Sequence, residues 1–302
     1  MGKTAGFAAL AIIAAGLAAT AGAFWLAPQR QPASVWDNTG PADLANGKRI
    51  FFAGGCSSCH AAPGATGNDR LLLGGGVTLK TGFGTFHAPN ISPGPQGIGG
   101  WSLAEFGDAL TRGIGRQGEN LYPSLPYTSY ARMKPQDVAD LFAFIKTLPE
   151  SAQDTLPHEL GFPFNQRLLL TGWKILFFSE KPRVQLAAAS PELLQGQYLV
   201  EGPGHCGECH TPRNLLGGFK SSAWLAGGPA PEGDGKIPNI TPASPEIGKW
   251  SAEEIASYLE TGFTPEFDSV GGSMVEVQKN MAELPASDRA AIAAYLKAIP
   301  GH

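Results

Sequence analysis

The sequence predicts a mainly α-helical protein in which one small helical module is used twice behind an apolar N-terminal segment. Three observations carry this. The run Cys56-Ser57-Ser58-Cys59-His60 returns as Cys206-Gly207-Glu208-Cys209-His210. Around it, Gly47, Pro89-Asn90-Ile91 and Trp101 recur 149 positions later as Gly196, Pro238-Asn239-Ile240 and Trp250, while Asp137 and Pro149 recur after 151. Ahead of both copies, residues 5–27 run 23 positions without a charge. The reading divides the chain into a signal anchor or transmembrane helix over 1–28, a polar tether over 29–40, a first domain over 41–150, a linker over 151–188 and a second domain over 189–302.

An uncharged run of that length can cross a bilayer as one helix, with Trp25 at a headgroup boundary and Lys3 kept inside. Ala19-Thr20-Ala21 and Ala21-Gly22-Ala23 also fit small-residue cleavage sites, so a removed signal peptide is the alternative. Both readings export the rest of the chain.

The first helix of each repeat is expected over 43–53, with Leu44, Gly47, Ile50 and Phe51 on one stripe, and again after Ser190-Pro191, a good N-cap and first-turn pair, with Leu194, Tyr198 and Leu199 inward. Each Cys run follows directly. The last helix of each repeat carries Val138, Leu141, Phe142, Ile145 and Leu148, then Ile292, Tyr295, Leu296 and Ile299, at helical spacing. Gly47 and Gly196 would let the terminal helix cross the first one closely, because no side chain intervenes. Elsewhere 40 Gly and 25 Pro, more than a fifth of the residues, predict structured loops between short helices.

Two thiols three positions apart can each add to one vinyl group of a single haem, and the imidazole that follows then stands beside the iron as an axial ligand. Cys56, Cys59, Cys206 and Cys209 are the chain's 4 cysteines, so the pattern predicts two covalently bound c-type haems with His60 and His210 on the irons. A single zinc site built from the four thiolates would leave both histidines without a role. Export suits a haem that is attached outside the cytoplasm. The formal net charge of −4 and the absence of a dense Lys/Arg cluster give no support to nucleic-acid binding.

The order of helix, C-x-x-C-H, Gly/Pro-rich loops, Met-containing loop and terminal helix resembles the class I cytochrome c fold twice over, across roughly 41–150 and 189–300. Pro-Asn-Ile-[Ser/Thr]-Pro followed by Ile-Gly-x-Trp-Ser is similar to the cytochrome c subunits of membrane-bound dehydrogenases. That resemblance implies a membrane-anchored electron carrier in the periplasm, taking electrons from a periplasmic dehydrogenase and passing them to quinone, another cytochrome or a terminal oxidase. Several members carry three haems, whereas this chain has two clamps, so the likeness is to the modules.

Each iron needs a sixth donor, and the usual one in an electron carrier is a Met thioether, which favours Fe(II). In the second domain Gly271-Gly272-Ser273-Met274 resembles the family's ligand loop, with Met281 the alternative. Counting back 149 positions from Met274 lands on Leu125, which cannot ligate iron. Met133 is the remaining methionine of the first domain and is expected as its ligand, with His87 as the fallback; His158 and His205 read as structural or exposed. Trp101, Trp250, Asn90 and Asn239 are expected either to reach the haem propionates or to pin their loops.

The linker contains an apolar stretch over 168–178 that is too short to span a bilayer. It is expected to pack on its own two domains, or alternatively to present a surface to the membrane or a partner. Besides an electron carrier, the residues leave two further classes open: a dihaem enzyme of the peroxidase-like or thiosulfate-oxidising kind, and an assembly subunit with incidental haems. No nucleophile constellation, phosphate loop or H-E-x-x-H run competes with the haem reading.

Overall fold

The computed structural model describes residues 16, 22, 29–186, 189–230 and 235–302. Apart from residues 16 and 22, the apolar N-terminal segment lies outside the described residues; among these, no helix is long and apolar enough to cross a membrane. The expected tether is partly helical. Ala33–Asp37 forms α1, and its buried Trp36 lies on Gly107, where an added Cβ would come within 2.3 Å of the indole.

Helix α2, Leu44–Ala53, starts at Asp43, whose carboxylate accepts the N–H groups of Ala45 and Asn46. Gly54 and Gly55 end it, the latter left-handed at φ +56°, and the chain turns straight into α3, Cys56–His60. A hairpin follows, β1 Thr78–Thr81 against β2 Gly84–His87, antiparallel with Thr78 opposite His87. Then come α4 Leu103–Arg112, the short α5 Tyr127–Tyr130 and the terminal α6 Pro135–Ile145. The linker carries α7, Leu169–Phe177.

The second half repeats the order: α8 Pro191–Glu201, α9 Gly207–His210, a minimal hairpin of β3 Gly228–Pro229 with β4 Lys236–Ile237, then α10 Ala252–Thr261, α11 Met274–Met281 and α12 Ala286–Ala298. Helices α4 and α10 were not expected. Both open with the same capping box, Ser102 with Glu105 and Ser251 with Glu254, an S-x-x-E signal present in the sequence.

In each half the terminal helix crosses the first helix at glycine. A Cβ on Gly47 would sit 2.1 Å from the Asp140 carbonyl oxygen, and one on Gly196 would sit 1.9 Å from that of Ala291. The backbones therefore touch, and Ile50, Phe51, Val138 and Ile145 on one side, and Leu199, Val200, Ile292 and Tyr295 on the other, close over the contact. Leu44 and Leu194, expected inward, are half-exposed at 49% and 51%, because the buried stripe begins at the crossing glycine and the leucines precede it.

The halves are joined by paired contacts. Arg49 on α2 bonds Asp288 on α12, and at the matching positions Tyr198 on α8 donates to Asp137 on α6. Helix α7 braces both halves: its Trp173 Nε1–H donates to the Leu216 carbonyl at 2.8 Å, and Phe177 lies on Gly218. Its Lys174, 1% exposed, donates from Nζ to the carbonyls of Arg112 and Gly113 and to Asn120 Oδ1 at 2.7–2.9 Å. The linker thus packs on both halves as expected, while Leu168, Leu169 and Leu176 on its outer side remain exposed.

Replacing Gly47 or Gly196 with Ala should destabilise the fold by about 1–3 kcal/mol, the usual range for forced overpacking. Denaturant unfolding checks this; an unchanged midpoint would show that the helices can separate at no cost.

Candidate haem-attachment sites

Both Cys-x-x-Cys-His runs are short helical turns, so the two thiols of each, three positions apart, share one face. Cys56, Cys59 and Cys206 are partly exposed and Cys209 is exposed. Burial pushes the Cys56 and Cys206 thiols up to about 12, keeping them neutral where they border the apolar core.

The histidine that ends each run is oriented from behind. His60 Nδ1–H donates to the Pro89 carbonyl at 2.8 Å, and His210 Nδ1–H donates to the Pro238 carbonyl at 2.9 Å. A carbonyl can only accept, so the Nδ1 proton is fixed and Nε2 keeps its lone pair. Burial lowers both histidines' pKa, which favours the neutral imidazole a metal requires. This accounts for the recurring Pro-Asn-Ile: the Pro supplies the acceptor.

The Asn holds that Pro in place. Asn90 Oδ1 accepts Ser92 N–H while its amide donates to the carbonyls of Ser151 and Gln153; Asn239 Oδ1 accepts Thr241 N–H and its amide donates to His302 O. Of the two expected roles, the amides serve as loop pins. Each loop is also tied to its clamp, since Gly75 N–H donates to His60 O and Gly227 N–H to His210 O, both at 2.7 Å. Lys146 and Lys297, at the ends of α6 and α12, donate to the loop carbonyls of Ile98 and Gly99, and of Gly248 and Trp250. Trp250 is buried against Tyr258 and Trp101 packs on the core.

The clamps also touch the opposite half. Asn280 on α11 donates to Ser58 Oγ at 2.7 Å and accepts from Ser57 and Arg70. At the matching positions Glu208, inside the second clamp, accepts from Ser129 at 2.7 Å and Thr128 at 3.1 Å on α5. Between these, Gly54 O accepts Tyr130 OH at 3.1 Å and lies 3.2 Å from His205 Nε2. Sequence reading gave none of these contacts: Glu208 occupies a variable position of its clamp, His205 reads only as structural or exposed, and Asn280 belongs to no repeated motif.

The candidate sixth ligands fall in different settings. Met274 is the first residue of α11, not part of a loop, and is partly buried against the core; Met281 ends the same helix and is 4% exposed. Met133 is buried at 7% in the turn before α6, with its N–H on Tyr130 O, as Leu284 N–H is on Met281 O before α12. His87 is held in the hairpin, Nδ1 by Thr78 and Nε2 by Glu159, and its N–H donates to His158 Nδ1. His158 packs between Phe86 and Tyr122. Among the described residues no three His, Cys, Asp or Glu side chains converge, so the four cysteines do not lie together in one group. The donor set at each run, two thiols on one face and a neutral imidazole with its Nε2 unprotonated, fits haem c.

A protein with such a pair of runs is a c-type cytochrome, and the comparisons agree. The cytochrome c family profile matches residues 44–149. The chain is 57% identical over 259 residues to a diheme cytochrome c-type protein of Cereibacter sphaeroides, covering 85% of this chain and 86% of that one. It is 37% identical over 261 residues to the fructose dehydrogenase cytochrome subunit of Gluconobacter japonicus and 33% identical over 268 to the alcohol dehydrogenase (quinone) cytochrome c subunit of Gluconobacter oxydans. It spans about half of those two, 52% and 55%. The chain belongs to the dihaem c-type cytochromes, carries two covalently bound haems c and is an electron-transfer component.

Asn280→Ala removes the partner of Ser57, Ser58 and Arg70 and should cost about 1–3 kcal/mol, the penalty for orphaning buried polar groups. Chemical unfolding with the haem count unchanged is the expected result.

Proposed function

We propose that this chain is a membrane-anchored dihaem electron carrier that accepts electrons from a periplasmic dehydrogenase and delivers them to quinone, another cytochrome or a terminal oxidase. It acts through two class I cytochrome c-like domains, over 41–150 and 189–302, on the outer face of the cytoplasmic membrane, held by the segment over 1–28. Dehydrogenase partnership rests on the names of the relatives, which are cytochrome subunits of fructose, alcohol and gluconate dehydrogenases. The observation that most supports electron transfer is the His–Pro carbonyl bond behind each clamp.

Haem c, when bound, supplies a reversible one-electron iron couple. Cys56 and Cys59 would hold one group and Cys206 and Cys209 the other, each by two thioether bonds. His60 and His210 would face the irons through Nε2, with the Pro carbonyls fixing ring orientation and raising the imidazoles' basicity. Met274 would add a soft thioether to the second iron and raise its potential. Ligands fixed by the fold keep their places in both oxidation states, so little reorganisation opposes the electron's arrival.

Two measurements test this. The Cys56→Ser/Cys59→Ser and Cys206→Ser/Cys209→Ser variants should each lose one haem by mass and keep the other. Affinity purification of the full chain from solubilised membranes should bring down a dehydrogenase whose substrate reduces the haems; recovery of the intact chain wholly in the soluble periplasmic fraction would overturn the anchor.

A further inference from the structure

The two halves differ where the sixth ligand is chosen. In both, the chain leaves the helix ahead of the ligand region through the same closed turn: Leu121 N–H returns to Gly113 O at 2.8 Å, and Val270 N–H returns to Gly262 O at 2.7 Å. The bridges Ile114 to Asn120 and Phe263 to Ser269 repeat within it. Four residues beyond that bond stand Leu125 in the first half and Met274 in the second, both partly buried against the core. Approached from the other side, the turn entering the terminal helix pairs Met133 with Leu284 and Tyr130 with Met281. The register shift between these two anchors falls between Leu125 and Tyr127, where α5 is four residues long and α11 is eight.

Met133 therefore takes the place of a core leucine, and the place of the ligand methionine is taken by leucine. Three other donors of this half are engaged, His87 by Thr78 and Glu159, His158 by the His87 N–H and two aromatic rings, Tyr130 by Gly54 O, whereas the buried Tyr127 hydroxyl has no hydrogen-bond partner among the described residues. Tyr127 lies on Gly113 and against Trp173 and Phe178 of the linker.

We infer that the first haem has no protein sixth ligand, and that the Leu125 side of its iron is a binding site for a small uncharged π-acceptor ligand of the carbon monoxide or nitric oxide kind. This deepens the electron-carrier reading and rests on its haem attachment at Cys56, Cys59 and His60. A leucine offers neither a lone pair to iron nor a donor to a bound anion, and the polarity of that side decides which ligands are held. The second haem, closed by Met274, stays six-coordinate.

The test uses the full-length protein carrying both haems, counted by mass and by the pyridine haemochrome. The reduced protein should take up one carbon monoxide per two haems, and the oxidised protein should show one high-spin and one low-spin haem by electron paramagnetic resonance. Leu125→Met should abolish carbon monoxide uptake and make both haems low-spin. Met133→Leu should behave as the unsubstituted protein in both respects. The inference is overturned if the unsubstituted protein is wholly low-spin and takes up no carbon monoxide, or if Met133→Leu alone creates the uptake. A haem count below two overturns the attachment reading itself, and the inference with it.

Discussion

Backbone contact between the first and terminal helices of each half is the constraint on which the rest depends. With the Gly47 and Gly196 backbones against the carbonyls of Asp140 and Ala291, the two helices lock at one crossing point and one rotation. Helix α2 then ends at a fixed place, and the left-handed Gly55 throws the chain into the first clamp with no slack. From the same terminal helices, Lys146 and Lys297 reach the loops that carry the Pro acceptors. One crossing thus sets both the clamp and the carbonyl that orients its histidine.

The halves are joined as nearly symmetric partners. Arg49 with Asp288 answers Tyr198 with Asp137, and Ser58 with Asn280 answers Glu208 with Ser129. The chemistry of the pairs differs while their positions match, so the arrangement belongs to the backbone, and each half has fitted its own side chains to it. Near the centre, Gly54 O and His205 Nε2 link the strands of chain that run into the two clamps, His205 directly ahead of Cys206 and Gly54 two residues ahead of Cys56. A single hydrogen bond therefore joins the segments that lead into the two attachment sites.

The sequence was most legible where one residue type serves one purpose. The Cys-x-x-Cys-His runs, the glycine crossings and the apolar stripes of α6 and α12 were all readable, because covalent chemistry and close packing admit few substitutes. The Pro-Asn-Ile motif was visible, yet its meaning was not: a backbone carbonyl is the functional group, and sequence names only the side chain. Leu44 and Leu194 were placed inside because a helical stripe has no marked end, whereas the partner helix covers only part of it. Contacts across the halves were illegible for a further reason. Asn280 and Glu208 are ordinary polar residues until the fold sets each against the opposite clamp.

The lysine of the linker helix shows how a single side-chain exchange propagates. At the end of α10 the exposed carbonyl of Glu260 is met by Gln278 Nε2–H at 2.8 Å, a side chain from the second half's own α11. In the first half the place of Gln278 against the helix-ending glycine is taken by Tyr127, which has no amide to donate, and the carbonyl of Arg112 at the end of α4 would be left without a donor. Lys174 fills that need from outside the half, its burial offset by three acceptors and its pKa lowered by burial to about 8. Because Gly113 O also closes the turn with Leu121, the lysine fixes the base of the loop that leads to Leu125. The linker helix is therefore part of the first half's ligand-side architecture. Its charge, which on sequence alone only interrupts an apolar run, is the reason that the helix sits where it does.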